Sequence, residues 1–296
     1  MGELGIGEPY AALTLKDGRK LGYLDVGKAG GHVVFHFHGH GSSRLEALML
    51  EEAANKLGLR VIAFDRPGVG YSDPKDGDRL LGWPADVAEA ADQLGIERFA
   101  VQGMSAGGPY ALACAHALGT RVTACSMVSA VPPPEIARRT GPRVRRLAWW
   151  VAHRYPKYLR RRLMQFRPDD PPEENAVRQR MLRVAQWLGG EDLRLMQIAE
   201  LRAVLARTMM ETARQSGAGN RAEIERLVRP WGFDIAGLAG PRFFVWHGDQ
   251  DRIMPVGSAR VMARRLKNAT ATFYAGEGHF SVLVNRAHDL LAVLRP

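Results

Sequence analysis

The chain has 296 residues, of which 46% are hydrophobic, 24% charged and 8% aromatic, and its formal net charge at pH 7 is +10. This composition is typical of a soluble globular protein with ample material for a core. The sequence has no run of about 18 apolar residues, which excludes a membrane-spanning helix, and its two cysteines, Cys114 and Cys125, exclude a disulfide framework.

Segments typical of strands alternate with segments of helical periodicity along the first 131 residues. The predicted strands are 11–27 (a hairpin with a turn at Asp17-Gly18), 32–37, 59–65, 98–103 and 122–131, and the predicted helices are 42–58, 82–95 and 106–119. Strands that alternate with helices form βαβ units. We therefore expect an α/β fold with a mostly parallel central sheet flanked by helices.

The pattern changes at residue 132, where about a hundred residues with helical periodicities and almost no strand-like segment begin. From Pro241 the alternation resumes, with strands predicted at 242–248 and 271–276 and helices at 255–267 and 279–294. A helical block between two strands of one sheet is typical of a lid. We expect a core domain of residues 1–131 and 236–296, with a helical lid of residues 132–235 inserted between two core strands.

The positive charge is concentrated in this predicted lid. Residues 132–235 contain 21 Lys or Arg against 12 Asp or Glu, and the stretch 138–167 contains eleven positive side chains and no acid. A basic amphipathic helix rich in tryptophan is typical of contact with a membrane surface or an anionic ligand. The alternative is an arginine-rich solvated face over a lid core. The apolar side chains predicted on one helical face are Val144, Leu147, Ala148 and Val151, with Trp149 and Trp150 beside them.

The strongest local motif is a G-x-S-x-G, Gly103-Met104-Ser105-Ala106-Gly107, between a predicted strand and a predicted helix. In that context the serine lies on a sharp, strained turn and is a candidate nucleophile. Chance matches are expected in a chain with 32 glycines. The flanking strand and helix favour the catalytic interpretation.

A serine nucleophile needs a base, and the base needs an acid that orients it. His279, in "AGEGHFS", follows the last predicted strand, and Asp251, in "WHGDQDRIMP", follows the strand before it. Both residues and Ser105 lie just beyond the carboxyl end of a strand, where ligands bind in open α/β sheets. The sequence therefore predicts a Ser-Asp-His triad of Ser105, Asp251 and His279.

The motifs "FHGHGSS", "DRPGVGYSDP", "GMSAGG", "GDQDRIMP" and "GEGHFS" together resemble the landmarks of the α/β-hydrolase superfamily, in its lidded, esterase-like branch. The resemblance extends over nearly the whole chain outside residues 132–235. It implies that the triad acid is the second aspartate of its loop, Asp251 rather than Asp249. Some relatives carry the acid one strand earlier, and the alternative there is Glu135. The resemblance is specific for the fold and the triad, and unspecific for the substrate.

Three histidines, His36, His38 and His40, occupy alternate positions near the third predicted strand. Alternate side chains of an extended chain point the same way, so this spacing suggests a metal site. The resemblance implies instead that the loop supplies an oxyanion-hole amide, that of His40, and that Ala106 supplies the second. Because the further Asp and His of a metallohydrolase motif are lacking, we expect no metal.

These features predict a serine hydrolase that cleaves carboxylic esters of small to medium, rather apolar acyl substrates through an acyl-enzyme, without a cofactor. The candidates for substrate contacts are Met104, beside the nucleophile, and Trp149 and Trp150 in the lid. Two alternatives stay open. One is a lactonase or C–C bond hydrolase with the same triad, and the other is a slow-turnover ligand-binding or signalling protein of the same fold.

The expected compartment is the cytoplasm. Residues 1–13 lack the basic and apolar regions of a secretion signal, and the low cysteine content is compatible with reducing conditions. Despite the positive charge, the sequence contains no recognised nucleic-acid-binding motif. We expect a small-molecule ester as the partner, no nucleic acid, and weak contact of the basic lid with anionic membrane surfaces or lipids.

Overall fold

Eight strands form a single sheet in a computed structural model, which describes residues 11–75, 77, 79–141, 143–154, 188–212, 214–215 and 218–296. The strands are β1 (Ala11–Thr14), β2 (Lys20–Gly27), β3 (His32–Phe37), β4 (Leu59–Phe64), β5 (Phe99–Met104), β6 (Val122–Val128), β7 (Arg242–Gly248) and β8 (Ala269–Tyr274). Their order is β1-β2-β4-β3-β5-β6-β7-β8. β2 is antiparallel to β1 and β4, and all other neighbours are parallel. The predicted α/β fold is confirmed.

Helices connect the strands from β3 onwards and follow β8. They are α1 (Glu51–Leu57), α2 (Trp83–Gln93), α3 (Gly107–Ala117), α4 (Pro134–Ala137), α5 (Arg143–Arg154), α6 (Gly190–Leu195), α7 (Ala199–Glu211), α8 (Ala218–Val228), α9 (Val256–Arg265), α10 (Ser281–Asn285) and α11 (Ala287–Ala292). A 3₁₀ turn, Arg44–Met49, precedes α1. None of the helices in these described ranges is long and apolar enough to cross a membrane.

Apolar side chains cover both faces of the sheet. Phe35 and Phe37 of β3 belong to one cluster and Val34 to the other, because alternate side chains of a strand point to opposite faces. Residues of α2, α3 and α9 close the first cluster, and residues of α1, α10 and α11 close the second. β5 is buried along its whole length. The carboxyl ends of the central strands therefore open at one edge between two packed layers.

The described residues between β6 and β7 include helices α4 to α8 and no strand. We call residues 132–235 the inserted segment, because β6 and β7 are neighbours in the sheet and the chain leaves and rejoins the sheet at adjacent positions. Thr208 of α7 hydrogen-bonds Ser43, with 2.7 Å between their hydroxyl oxygens. Much of the basic stretch 138–167 lies outside the described residues. The role of the segment as a lid stays a prediction.

Candidate active site

Ser105 lies in the sharp turn between β5 and α3, the context that the motif predicts. Its φ of 50° is in the left-handed region, which costs a non-glycine residue about 1–3 kcal/mol. Two hydrogen bonds join this turn to the end of β6 and the chain after it: the Ser105 N–H donates to the Val128 carbonyl at 2.8 Å, and the Val131 N–H donates to the Ser105 carbonyl at 2.9 Å. The chain after β6 thus stabilises the strained conformation.

The glycines of the motif are required by close backbone packing. A Cβ at Gly103 would overlap the carbonyl of Gly107, and a Cβ at Gly107 would overlap the carbonyl of Phe37. A Cβ at Gly108 would overlap the side chain of Ala130. Since backbone atoms fill the first two spaces, a side chain there would move β3 or α3 away from β5. The glycines around Ser105 therefore allow the start of α3 to pack closely against the ends of β3 and β5.

His279 and Asp251 form a hydrogen-bonded pair. Asp251 follows β7 and His279 follows β8, and 2.7 Å separates His279 Nδ1 from Asp251 Oδ2. The other carboxylate oxygen, Oδ1, accepts the N–H groups of Ile253 at 2.8 Å and Met254 at 2.7 Å. These bonds fix the carboxylate in its loop. With Nδ1 bound to the acid, Nε2 is the nitrogen of His279 that can exchange a proton with another group.

The three predicted triad residues lie at the same edge of the sheet and are buried. They follow β5, β7 and β8, and the last two strands are neighbours. Ser105 and Asp251 are each 8% exposed and His279 is 2% exposed. Burial removes water from around these groups, which strengthens their electrostatic interactions.

A second histidine, His247 at the end of β7, also contacts the acid. Its Nε2 lies 3.1 Å from Asp251 Oδ2 and 2.8 Å from the Met254 carbonyl oxygen. Both neighbours are acceptors, so Nε2 carries the proton and donates it to them. His247 is fully buried. The sequence pattern does not single out His247, although it lies four positions before Asp251 in the same motif.

The acid and the base shift each other's pKa in opposite directions. Burial opposes the charged form of His279, but the charge of Asp251 and the hydrogen bond between them raise the pKa of the imidazole above its ordinary value. Burial likewise opposes ionisation of Asp251, yet the charge of His279 and hydrogen bonds from His247 and His279 lower the pKa of the carboxyl. Asp251 is therefore an anion at neutral pH, and it stabilises a positive charge on His279.

The alternating histidines have separate hydrogen-bond partners. His36 Nε2 lies 2.9 Å from Glu46 Oε1, and His38 Nδ1 lies 2.8 Å from the Gly39 carbonyl. Both rings are fully buried, His36 within β3 and His38 in the loop that follows it. Burial, with the charge of Arg66 second, holds the pKa of His38 well below its ordinary value. The described ranges contain no group of three or more His, Cys, Asp or Glu side chains arranged to hold a metal.

His40 lies in the loop after β3, and Ala106 follows Ser105 directly. The His40 side chain hydrogen-bonds Glu223 of α8, with 2.7 Å between Nδ1 and Oε2, and it is 29% exposed. Ala106 is buried at the start of α3. Within the described part of the chain, no acceptor takes the amide proton of His40 or of Ala106. These two amides remain available to an external acceptor.

Buried charges support the loop that carries His40. Glu46 accepts the Gly39 N–H at 3.1 Å with each of its oxygens. Arg66 pairs with Glu223 and donates to the carbonyls of His38 and Gly39. Burial disfavours the ionised form of Glu223, but the charge of Arg66 and the hydrogen bond from His40 lower its pKa. Sequence reasoning missed Glu46 and Glu223; Arg66 lies within a motif that it did identify.

Asp192 of α6 reaches the loop of the predicted base. Its carboxylate accepts the backbone N–H groups of His279 at 2.7 Å, Phe280 at 2.9 Å and Ser281 at 2.9 Å. The side chain is 2% exposed. The sequence offers no local signal for this contact, because Asp192 lies 87 positions before His279.

The described structure records no contact between this pair and the remaining predicted positions. Met104 is fully buried in the cluster closed by α1, α10 and α11, Trp150 is 52% exposed, and the side chain of Trp149 lies outside the described residues. Their contacts with substrate stay predictions. Glu135 pairs with Arg265 at 3.2 Å, and Asp249 accepts the Gly276 N–H at 2.9 Å. Asp251 is the acid that meets His279.

Comparisons with known proteins give one family. A family model described as the alpha/beta hydrolase fold matches residues 32–286. A non-heme chloroperoxidase from Streptomyces lividans is 36% identical over 139 residues, which cover 44% of this chain and 48% of that protein. A bifunctional esterase/perhydrolase from Acinetobacter calcoaceticus is 34% identical over 134 residues, with the same two shares. The chain thus spans about half the length of the curated relatives it matches.

The similarity to solved structures extends over nearly the whole chain. A hydrolase from Pseudomonas aeruginosa matches with a TM-score of 0.72 at 18% identity, and the match covers 98% of each chain. At this level of identity the likeness shows the fold alone.

Proposed function

The chain belongs to the α/β-hydrolase fold family, and from this premise we propose that it is a serine hydrolase that cleaves carboxylic esters through an acyl-enzyme. The observation that carries the proposal is the buried hydrogen bond of 2.7 Å between His279 Nδ1 and Asp251 Oδ2. It lies at the same sheet edge as the strained turn of Ser105. A nucleophile, a base and an orienting acid are the minimum set for this chemistry.

In the first step Ser105 Oγ attacks the carbonyl carbon of the ester, and His279 Nε2 takes the hydroxyl proton. Asp251 orients the ring through Nδ1 and stabilises the imidazolium. When the tetrahedral intermediate collapses, His279 returns the proton to the leaving alcohol. The second step repeats this sequence with water as the nucleophile, which releases the carboxylic acid and restores Ser105.

The amides of His40 and Ala106 are proposed to hold the oxyanion. Preorganised N–H donors aimed at a developing negative charge usually make the largest single contribution to such catalysis. The support is that neither amide proton is used inside the described part of the chain. Glu46 accepts the N–H of Gly39 and Arg66 donates to its carbonyl, which fixes the backbone of the loop that carries His40. The donor position is thereby set before substrate binds.

The proposed substrates are esters of small to medium, rather apolar acyl groups, which enter beneath a lid formed by the inserted segment. A second candidate is acyl transfer to hydrogen peroxide instead of water, which gives a peracid. It is favoured by the names of the two curated relatives, a chloroperoxidase and an esterase/perhydrolase. The two differ only in the acyl acceptor. Peracid formation from an ester and hydrogen peroxide, measured beside hydrolysis, distinguishes them.

The first experiment measures initial rates on p-nitrophenyl esters of increasing acyl length. We expect Ser105→Ala to lower kcat by at least about 10⁴-fold, since the nucleophile is lost while binding remains. The chain-length optimum then measures the acyl pocket. A very low turnover on all esters by the unaltered chain would favour a specialised lactonase or a ligand-binding protein.

Ser129→Ala is the matched control. Ser129 follows β6, is fully buried and has a φ of 46°, so it shares the backbone strain and the burial of Ser105. Its hydroxyl has no hydrogen-bond partner among the described residues. We expect Ser129→Ala to keep the rate within a few-fold of the unaltered chain. Activity that survives in Ser105→Ala would refute the nucleophile.

A further inference from the structure

Asp192 is a buried carboxylate of the inserted segment whose hydrogen bonds all go to the loop of His279. Three consecutive N–H groups, those of His279, Phe280 and Ser281, converge on its two oxygens at 2.7–2.9 Å. A buried amide without an acceptor costs about 1–3 kcal/mol. The backbone around His279 therefore depends on a side chain from a distant helix, α6.

The loop is shaped around this carboxylate. A Cβ at Gly278 would overlap the Asp192 carboxylate, so a glycine is needed for the carboxylate to reach the three amides. The Gly278 N–H donates to Ser281 Oγ at 2.7 Å, which closes the turn on its other side. Since Gly278 is not in the left-handed region, space rather than backbone conformation accounts for the glycine.

We propose that Asp192 is a positioning residue for His279. Through Asp192, the packing of the inserted segment against the core controls whether His279 can act as a base. This inference rests on the proposed function of His279. When α6 is seated, Asp192 fixes the main chain at position 279 and directs the ring towards Asp251. When α6 moves away, three buried amides lose their acceptor and the ring loses its fixed position.

Asp192 also acts on His279 through its charge. The acidic groups that act on the imidazole are Asp251 after β7, Asp192 on α6 and Glu46 on the 3₁₀ turn, and each favours the protonated ring. Removal of the charge at position 192 therefore lowers the pKa of His279. A residue that only supported folding would change stability and leave this titration in place.

The first test compares Asp192→Asn with Glu191→Gln, its neighbour on α6. Glu191 pairs with Arg194 and accepts from Asn285 rather than from the amides of the histidine loop. Misplacement of a catalytic group by about 1 Å costs up to about 100-fold in rate. We expect Asp192→Asn to lower kcat by about 10- to 100-fold with a KM within a few-fold, and Glu191→Gln to change neither constant by more than a few-fold.

The charge effect is measured without substrate. Titration of the His279 ring by NMR, assigned with His279→Gln as the reference, gives its pKa in each variant. We expect a lower pKa in Asp192→Asn and an unchanged pKa in Glu191→Gln. In the pH profile of kcat/KM the acid limb moves to lower pH by the same amount.

Gly278→Ala gives a second perturbation that leaves every charged residue in place. The added methyl group displaces the carboxylate, so we expect a loss of kcat similar to that in Asp192→Asn. In an Asp192→Ala background the three atoms nearest to the methyl group are absent, and Gly278→Ala should then change kcat by less than about threefold. This double-mutant cycle reports the contact itself, and the single Gly278→Ala variant serves if substitutions at position 192 fail to fold.

Two results would overturn the inference. One is an Asp192→Asn variant with an unaltered kcat and an unaltered His279 titration. The other is a Gly278→Ala variant with full activity. Failure of the proposed function looks different: Ser105→Ala would keep its activity, or no ester would be hydrolysed, while the NMR titration would still show whether Asp192 acts on His279.

Discussion

His279 is the proposed base, and its neighbours set its ionisation. Burial opposes its protonation, but Asp251 raises the pKa of the ring above its ordinary value, which is about 6.5. The ring must be neutral to accept the proton of Ser105. We therefore expect kcat/KM to be maximal above this raised pKa and to fall as the pH drops through it. The measurement is the pH profile of kcat/KM on one p-nitrophenyl ester between pH 5 and 9.

The same profile has an internal control. A substrate with a different leaving group should show the same acid limb, because kcat/KM reports the free enzyme. An acid limb well below pH 6 would contradict the pair formed by His279 and Asp251. It would also contradict the direction of the shift that Asp251 causes.

At the scale of single residues, the residues that could be predicted from the sequence are those that belong to short motifs. Ser105 and its glycines were predictable because the motif that places a serine in this turn is contained in five consecutive positions, although the carbonyl of Phe37, far away in sequence, also requires the glycine at 107. The pairing of Asp251 with His279 was predictable because each residue follows a strand at the same edge of the sheet. Asp192 and Glu223 were not predictable. Each is an acidic residue on a helix, and only burial against a loop far away in sequence distinguishes it from a solvated one.

At the scale of elements, the strands were predicted more closely than the helices. The strand predicted at 32–37 has the observed bounds, since a short apolar run between turn residues has few alternatives. The helix predicted at 279–294 is divided at Arg286 into α10 and α11. The Arg286 side chain turns back to Glu277 at 3.0 Å. Periodicity of apolar residues continues through such a break, so it does not reveal the interruption.

Helix α5 carries the part of the basic stretch that the structure describes. Val144 and Leu147 are 73% and 59% exposed and lie beside the exposed side chains of Arg143 and Arg146. Apolar side chains flanked by arginines match the surface of an anionic bilayer. We expect the protein to bind anionic vesicles at low salt and to lose binding as salt screens the charges. Co-sedimentation with vesicles of phosphatidylserine and phosphatidylcholine measures this.

The charge-reversal variant Arg143→Glu/Arg146→Glu should weaken vesicle binding by at least about tenfold, since each basic group near the surface contributes about 1 kcal/mol. Arg264→Glu, an exposed position on α9 of the core, is the control and should bind as the unaltered chain does. Equal binding at low and high salt would show that the arginines form only a solvated face.

At the scale of the whole molecule, the inserted segment is held to the core by acidic side chains despite its positive charge. Asp192 on α6, Glu211 on α7 and Glu223 on α8 each bond to core residues or their backbone. The exposed residues of α5 include its arginines at positions 143, 146 and 154. Thus the acids of the segment face inward at these points, which the net charge of the sequence did not reveal.

This arrangement makes stability depend on pH. The pKa of Glu223 is lowered in the folded state, so its contribution is present above the pKa of the unfolded chain, about 4.3, and is lost as the pH falls below it. We expect Glu223→Gln to lower the free energy of unfolding at pH 7 by about 3–5 kcal/mol, because Arg66 is left buried without its counter-charge. Urea unfolding at pH 7 and pH 3 measures both values.

The difference between the two chains isolates Glu223, since every other titrating group is common to both. That difference should shrink from pH 7 to pH 3. Glu225→Gln is the control. Glu225 lies two residues after Glu223 on α8 and is partly exposed, and we expect this variant to unfold as the unaltered chain does at both pH values. A constant difference between pH 7 and pH 3 would show that Glu223 acts by packing and not by charge.

The contact between Asp192 and Gly278 also bears on how such chains recombine. Consider a hybrid chain that takes the inserted segment from one homologue, the donor, and the core from another, the recipient. The inserted segment of the donor must then have an acid at position 192, and the core of the recipient must have a glycine at position 278. A crossover that separates these two residues would join parts that each fold in their own parent. In the hybrid, either a side chain at position 278 would displace the acid, or the three backbone amides would lack an acceptor.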